Sequence, residues 1–481
     1  MAAMTWLWIG VAGTHLAVIF GFLLTERRSP TATLAWLMVL LFLPLVGLLI
    51  YFVLGATRAN RIRKKSESVA TRIDDVLSRH GVSGKMREHG AIPQLDPSTR
   101  ALVALGRRTT SLPASYGNRA TILDSAAATY RAIMRGIDDA EDHIHVEYYI
   151  IQPDRIGRAL RDRLVRRAAD GLAVRVLCDA VGSSKLPSNF WAPLEEAGGQ
   201  AAVFNPIRFR IRRRDRVDFR NHRKIVVFDG KVGLTGGINM GREYLGLDPE
   251  IGKWRDSHIS IGGPAVLGLQ QTFAEDWLFT TGELLDDLRY YPNFTEVHGT
   301  QIVDIIDSGP DRQFSSVHQI FFQSIALSQK RVWVTSPYFV PDPVIEESLI
   351  AAALRGVDVR LLVPFKSDVP IISMASRSYY PRLLEAGVRI FEYERGFVHA
   401  KTLVVDEWVG TIGSANMDIR SFKLNFEVNA MVYGAEFARE LAGQFLEDLK
   451  FSREITAEAV AQTGYTRRLA QAFARLLSPL L

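Results

Sequence analysis

Thiol is almost absent from this chain: among 481 residues there is a single cysteine, Cys178. That excludes a disulfide framework and any zinc site built on two or more thiolates. Cys178 closes the strand-like run Val174-Arg175-Val176-Leu177 and reads as a small core residue. Clusters of carboxylates at ligand spacing are also missing near the motifs described below, so neither a metal nor another cofactor is expected. Neither charge sign dominates. Lys and Arg number 58 against 52 Asp and Glu, for a net charge of +6. Such a mild basic balance favours an anionic partner, nucleic acid or acidic lipid. With 47% hydrophobic and 23% charged residues, the chain is too apolar for a disordered polymer and too charged for a multi-span transporter. Its length suits about three units at roughly 150 residues per domain.

The apolar residues are unevenly spread. Trp6 to Leu24 and Ala32 to Leu54 contain no Asp, Glu, Lys or Arg, and each is long enough to cross a ~30 Å hydrocarbon core at ~1.5 Å per residue. Met1 to Thr5 lacks the basic residues of a signal peptide, and a second apolar run follows almost at once. The expectation is a transmembrane hairpin over residues 1–57, turning at Thr25-Glu26-Arg27-Arg28-Ser29-Pro30-Thr31. Pro44 would be a tolerated kink. His15 reads as a packed or interfacial residue with no evident partner. Arg58, Arg61, Arg63, Lys64 and Lys65 outnumber Arg27 and Arg28 in the loop, which places the large C-terminal part on the cytoplasmic side. Residues 58–114 read as a polar, irregular connector.

One pattern is then written twice. Tyr130, Ile133, Met134 and Ile137 have helical spacing, as do Val317, Ile320, Phe321 and Ile325. A β-run follows each, His143 to Ile150 and Val332 to Phe339, and then Pro153-Asp154 or Pro341-Asp342. Next come a helix, a glycine (Gly171, Gly356), another β-run and an "EEAG" or "LEAG" helix end (Gly198, Gly387). Alternating helices and strands predict an α/β fold of two similar lobes, over 115–300 and 301–455, in a pseudo-two-fold arrangement.

The polar residues repeat too. Asn221-His222-Arg223-Lys224 leads to Asp229 and Gly236-Gly237-Ile238-Asn239. His399-Ala400-Lys401 leads to Asp406 and Gly413-Ser414-Ala415-Asn416. Both read H-x-K-x4-D-x6-G-[GS]-x-N. On a strand, His and Lys two apart share one face. By parity Asp229 and Asp406 fall on the other face or beyond the strand end, where they would support the turn rather than touch substrate. The glycines would return each Asn toward its His and Lys. An imidazole beside an ammonium suits a phosphodiester: Lys and Asn hold the non-bridging oxygens, one histidine attacks phosphorus and the other protonates the leaving alcohol. In-line displacement needs a histidine on each side of phosphorus, which two facing copies supply.

These residues resemble the phospholipase D superfamily, whose signature is this duplicated HKD motif; the likeness covers roughly residues 115 to 450. The whole chain is most similar to the bacterial cardiolipin synthases. That narrower likeness rests on the apolar hairpin with Leu34-Ala35-Trp36-Leu37, on the first motif with Trp254-Arg255-Asp256-Ser257-His258, and on the ending Ala474-Arg475-Leu476-Leu477-Ser478-Pro479-Leu480-Leu481. The resemblance implies His222 as nucleophile and His399 as general acid and then base. Lys224, Lys401, Asp229 and Asp406 complete the motifs, and Asn239, Asn416, Ser414 and Gly237 lie around the phosphate. A histidine needs an acceptor on its second nitrogen. Glu427 matches the acidic position after the second motif. For the first half the candidate is Asp256, with Glu243 as a rival.

The resemblance implies transfer of a phosphatidyl group between two phosphatidylglycerols, giving cardiolipin and glycerol, in a bacterial inner membrane. Phosphatidylglycerol and anionic lipids are then the partners, and no nucleic acid is expected. A phospholipase D hydrolase uses the same site with water. A nuclease fits the basic charge but not two membrane spans, and a non-catalytic lipid-binding protein would not need four intact His and Lys positions. Two basic segments stay open. Arg208 to Arg220 is either a solvated arm or a contact for phosphate headgroups. Residues 456–481 form a basic amphipathic segment that either lies on a membrane or packs on the domain.

Overall fold

The computed structural model describes residues 30–43, 46–47, 59–79, 81, 95–205, 219–247, 252–294 and 299–478, with seven scattered positions before residue 30. The chain forms two compact units, Met1–Lys64 and Lys65–Leu481.

In the first unit, the helix Pro30–Phe42 contains no charged residue. Ile19 and Leu40 are buried together beside Trp36 and Leu37. His15 does have a partner: its Nε2 lies 3.0 Å from the Leu40 carbonyl oxygen. Most of the first apolar run and residues 44–45 and 48–54 of the second, Pro44 included, lie outside the described residues. Among the described residues no helix is long and apolar enough to cross a membrane.

The segment expected to be an irregular connector departs from that expectation. The connector is helical over Ala59–Arg79 and Pro97–Thr109. Val69, Ile73, Val76 and Leu77 are buried at the spacing of one helix face, and Leu102 joins the main core. Asp96 caps the second helix by accepting from the Ser98 and Thr99 amides, satisfying donors that a helix start leaves open.

One 15-stranded sheet runs through the body. Its first seven strands are β1 (Ser115–Leu123), β2 (His143–Tyr148), β3 (Ala173–Asp179), β4 (Gln200–Phe204), β5 (Lys224–Phe228), β6 (Val232–Gly236) and β7 (His258–Gly262). The next seven are β8 (Gln301–Ser308), β9 (Arg331–Thr335), β10 (Asp358–Pro364), β11 (Arg389–Tyr393), β12 (Thr402–Val405), β13 (Val409–Gly413) and β14 (Glu427–Tyr433). β15 (Ser452–Ile455) closes one edge, and the order is 15-11-10-9-12-13-14-8-1-7-6-5-2-3-4. Read outward from the antiparallel β1–β8 seam, the halves follow one plan, each strand of the first answered by the strand seven places later. The duplication read from sequence is thus a pseudo-two-fold within a single sheet. β2–β3–β4 and β9–β10–β11 are parallel, joined through helices such as Arg155–Ala169 and Pro343–Leu354. Asp154 and Asp342 cap those two helices, which explains the repeated Pro-Asp.

Strand alternation sorts the core. Val226 and Phe228 face the helices of the first half, while Ile225 and Val227 enter a core that also holds Val404, Ile412, Val428 and Phe437 of the second. The halves therefore share buried apolar side chains, each contributing about 1.5–3 kcal/mol.

Candidate active site

Both motifs stand at the carboxyl ends of the parallel strands, where open α/β sheets leave a crevice. Lys224 opens β5 and pairs with Tyr148, the last residue of β2, so Asn221-His222-Arg223 lies beyond the end of β2. His399 and Lys401 precede β12 in the same way, Thr402 pairing with Thr335 at the end of β9. The histidines thus occupy the entry to a strand and not, as the spacing suggested, one face of it. Each lysine folds back to donate to its own histidine's carbonyl, Lys224 Nζ to His222 O at 2.6 Å and Lys401 Nζ to His399 O at 2.5 Å. The Lys401 ammonium also lies 3.0 and 3.1 Å from the two ring nitrogens of His399.

Each histidine is held by the opposite half. His222 Nδ1 meets Glu427 at 3.0 and 3.1 Å, and the His222 amide donates to the Phe426 carbonyl at 2.9 Å. His399 Nδ1 meets Asp256 at 2.7 Å, and its amide donates to the Arg255 carbonyl at 2.7 Å. Asp256 and Glu427 hold equivalent places, each two residues before the partner of a β-turn glycine (His258 opposite Gly236, Asn429 opposite Gly413). The expected carboxylates are therefore present but exchanged: Asp256 serves the second histidine and Glu427 the first. A backbone bridge beside each carboxylate enforces this, Asn221 to Phe426 and the short strand Gly396–Val398 to Lys253–Arg255. A carboxylate accepting at Nδ1 fixes the proton there and leaves Nε2 with a lone pair in the neutral ring. Glu243, the rival, accepts instead from Gln152 at 3.0 Å.

The small residues of the motifs brace these carboxylates. Ser414 Oγ donates to Glu427 at 2.5 Å, and Asn425 Nδ2 donates to its other oxygen at 3.1 Å. At the matching place a Cβ on Gly237 would sit 2.1 Å from Asp256 Oδ1, so only glycine leaves room for that carboxylate. Ser414 and Gly237 thus support the two carboxylates. Asn239 is also engaged: it donates to Tyr244 Oη at 2.7 Å and accepts from the Ile150 amide at 3.3 Å. Asn416 Oδ1 is buried and has no partner among the described residues.

Asp229 and Asp406 do not touch the histidines. Asp229 accepts from the amides of Glu141, Asp142 and His143, and Asp406 from those of Gln329, Lys330 and Arg331. Both adopt left-handed backbone, φ 53° and 51°, a conformation aspartate tolerates. Each pins the start of β2 or β9 to the turn after the motif strand. They act in the framework, each holding three backbone amides at the start of a strand.

Several residues escaped the sequence reading. Tyr149 stands edge-on to His222, ring centroids 4.9 Å apart, and Trp254 lies 5.1 Å from His399. Arg223 bonds Asp276 at 2.5 Å and the Ser308 carbonyl at 3.2 Å. Asn221 reaches Glu147 and Asp276. This tethers the first motif to the helix Val266–Thr281 and to β8 across the seam. Burial, reinforced by Asp276, pushes the Glu147 carboxyl well up. A Tyr in each β-run and an Asn two residues before Glu427 were the available signals.

Both imidazoles and both ammonium groups are buried, and burial, which disfavours charge, dominates their titration. His222 falls to about 4 through burial, opposed by Glu427 and reinforced by Lys224 and Lys401. His399 falls to about 4 through burial and Lys401, opposed by Asp256. Lys224 is lowered to about 7 and Lys401 to about 8, burial outweighing their carboxylates. Asp256 and Glu427 go the other way: burial would raise both, but Lys401 and His399 hold Asp256 down, and His222 and Lys224 hold Glu427 down. Lys401 acts on His222 and Asp256 on Lys224, so the two motifs form one charge cluster. At neutral pH it offers two neutral imidazoles, two ionised carboxylates and lysines near their titration points. An anion with tetrahedral oxygens fits such a place.

Comparison with known proteins points the same way. A family described as "Cardiolipin synthase, PLD-like domain" matches residues 133–277 and 321–449. Another, "Phospholipase_D-nuclease N-terminal", matches residues 16–55. The chain is 42% identical over 463 residues to a cardiolipin synthase of Geobacillus thermodenitrificans, covering 95% of this chain and 90% of that protein. It is 39% identical over 460 residues to one from Alkalihalophilus pseudofirmus, with the same coverage. In three dimensions it resembles a phosphatidylserine synthase of Haemophilus influenzae, with a TM-score of 0.60 and 17% identity, covering 80% of this chain and all of that one.

Proposed function

The chain belongs to the cardiolipin synthase family of phospholipase D-like proteins, and from that premise we propose that its crossed histidine pair moves a phosphatidyl group from one phosphatidylglycerol to another. The observation that supports this most is the exchange of orienting carboxylates, which turns the Nδ1 of each histidine to a carboxylate and leaves Nε2 for the chemistry, that of His399 beside the Lys401 ammonium. His222 Nε2 attacks phosphorus. The bond from phosphorus to the glycerol oxygen breaks, and His399 gives that oxygen a proton. A hydroxyl of the second phosphatidylglycerol then passes its proton to His399 and attacks. The phosphorus–nitrogen bond breaks, His222 is released and cardiolipin forms. Lys224 and Lys401 balance the charge on the five-coordinate phosphorus. Both imidazoles are neutral before substrate enters. The diester anion favours protonation of its neighbours, and the proton taken up resides on His399. Incubation of the purified full chain with labelled phosphatidylglycerol tests the reading. Cardiolipin plus glycerol is expected; phosphatidic acid plus glycerol would make it a hydrolase, and no turnover would refute it.

The acid–base pattern gives kcat/KM a bell shape. On the acid side activity falls as pH drops toward about 4, where His222 gains a proton and cannot attack. On the alkaline side it falls as pH rises, because His399, lowered to about 4, must take up the proton it delivers, and more steeply through about 7, where Lys224 loses its charge. A pH–rate profile in micelles of constant composition checks this; a rate still climbing beyond pH 9 would contradict it.

The protein acts at a membrane, with the apolar runs Trp6–Leu24 and Ala32–Leu54 as a multi-pass anchor and the catalytic unit facing the cytoplasm. The K/R excess after the second run supports that sidedness. The helix Tyr465–Leu476 supports contact with anionic lipid as well. Tyr465, Leu469, Phe473 and Leu476 are all more than half exposed and follow one helix face, with Arg467, Arg468 and Arg475 beside them. Arg475 also pairs with Glu346 at 3.6 Å and covers the Tyr379 ring, which anchors the helix to the body. Leu469→Glu with Phe473→Glu should cut turnover on anionic vesicles at least about tenfold while leaving turnover in detergent micelles near the parent rate. Equal loss in both would mean the helix serves folding only.

A further inference from the structure

The two histidines face different surroundings. Beside His399 stand Trp254 and Tyr244, ring centroids 5.1 and 6.3 Å from the imidazole. The equivalent positions on the His222 side, two residues before the carboxylate and five after the motif asparagine, hold Asn425 and Ser421. The aromatic pair lines a cavity of ≈ 530 Å³ whose other walls include Gln152, Glu243, Asp368 and Lys185. Asp368 accepts from Tyr338 Oη at 2.8 Å through both oxygens, and its charge acts on His399 and Lys401. Glu243 accepts from the Gln152 amide at 3.0 Å, which leaves its second oxygen and the Gln152 carbonyl as acceptors.

Aromatic faces beside hydrogen-bond acceptors suit a small polyol: the rings take its C–H faces, and the carboxylates and amide take its hydroxyl protons. The walls also carry Lys185 and Arg242, but the carboxylates of Asp154, Glu243 and Asp368 outnumber them, so a phosphate ester is disfavoured there. Resting on the reading of His399 as acid and base, we propose that this cavity is the polyol subsite. It holds the glycerol whose oxygen His399 protonates in the first step and the glycerol headgroup whose hydroxyl His399 deprotonates in the second. Glu243 and Gln152 are then specificity-determining residues for a diol over a simple alcohol. That selectivity favours a lipid polyol over water, which separates transfer from hydrolysis.

The test supplies the full chain in micelles with phosphatidylglycerol, together with isotope-labelled glycerol and ethanol at equal concentration. Label entering phosphatidylglycerol is compared with label entering phosphatidylethanol. The parent protein should favour glycerol. In Glu243→Ala the ratio of glycerol to ethanol product should fall about tenfold or more, the scale of one hydrogen bond to a charged acceptor. Gln152→Ala, on another wall, should lower the same ratio by a smaller factor. The ratio is independent of how much protein folds. An unchanged ratio in both variants would overturn the subsite and leave the transfer reaction standing, as would equal loss of both products. Absence of label in either lipid with the parent protein would instead refute the transfer reaction itself.

Discussion

His222→Ala protein should form no covalent phospholipid adduct with any substrate, because the remaining imidazole, His399, has its Nε2 3.1 Å from the Lys401 ammonium and serves as acid and base. His399→Ala should differ in kind. Its nucleophile survives, still held by Glu427 at Nδ1, but the glycerol oxygen must leave without a proton. That should slow adduct formation from phosphatidylglycerol by about 10² to 10⁴, the scale of general acid catalysis. A nitrophenyl phosphodiester needs little protonation of its leaving group, so it should restore adduct formation in His399→Ala and not in His222→Ala. The restored adduct should then persist, since the same imidazole must activate the incoming hydroxyl. Burst kinetics of nitrophenol release read both effects. A burst in His222→Ala with none in His399→Ala would reverse the roles and keep the two-histidine mechanism.

Substitution of the orienting carboxylates should carry the same signature across the halves. Glu427→Gln removes the charge behind His222, although Glu427 lies 205 residues away. It should therefore behave as a nucleophile defect: a loss of about 10² to 10⁴ that a good leaving group does not rescue. Asp256→Asn removes the charge behind His399, 143 residues away, and should behave as an acid defect that the nitrophenyl ester does rescue. Both carboxylates are buried among hydrogen-bond partners, so the isosteric amides are the informative replacements; alanine would add a cavity to the lost charge. Were each carboxylate to serve its own half, the rescue pattern would be exchanged. Thermal melts of both variants separate an unfolded protein from a slow one.

The duplicated motif was legible because spacing survives in sequence: the strands, the capped helices and the four His and Lys positions all fall at matching offsets. The identities of Asp256 and Glu427 were legible as acidic residues near each motif. Their allegiance was not, because it depends on bridges such as Asn221–Phe426 that join residues 205 apart. Such long-range pairings leave no periodic trace. Asp229 and Asp406 show how parity arguments help: they excluded contact with substrate, and the structure shows the amides each aspartate holds instead. What Ser414 and Gly237 support was not legible, because a serine and a glycine beside a phosphate site carry no sign of the carboxylate they pack against. Only the packing of the longer Glu427 against Ser414 and of the shorter Asp256 into the space over Gly237 shows that both tune carboxylate reach. The helix Ala59–Arg79 was readable from Val69, Ile73, Val76 and Leu77, but its many charges hid that face.

The central claim is that His222 attacks phosphorus while the other half of the molecule orients it. Rapid acid-free quenching of the wild-type chain during turnover of phosphatidylglycerol, followed by peptide mapping in a mass spectrometer, tests it most directly. The account predicts a phosphatidyl group on the peptide containing His222, formed and consumed at the rate of turnover. The same group on the His399 peptide, or turnover with no adduct on either histidine, would contradict it.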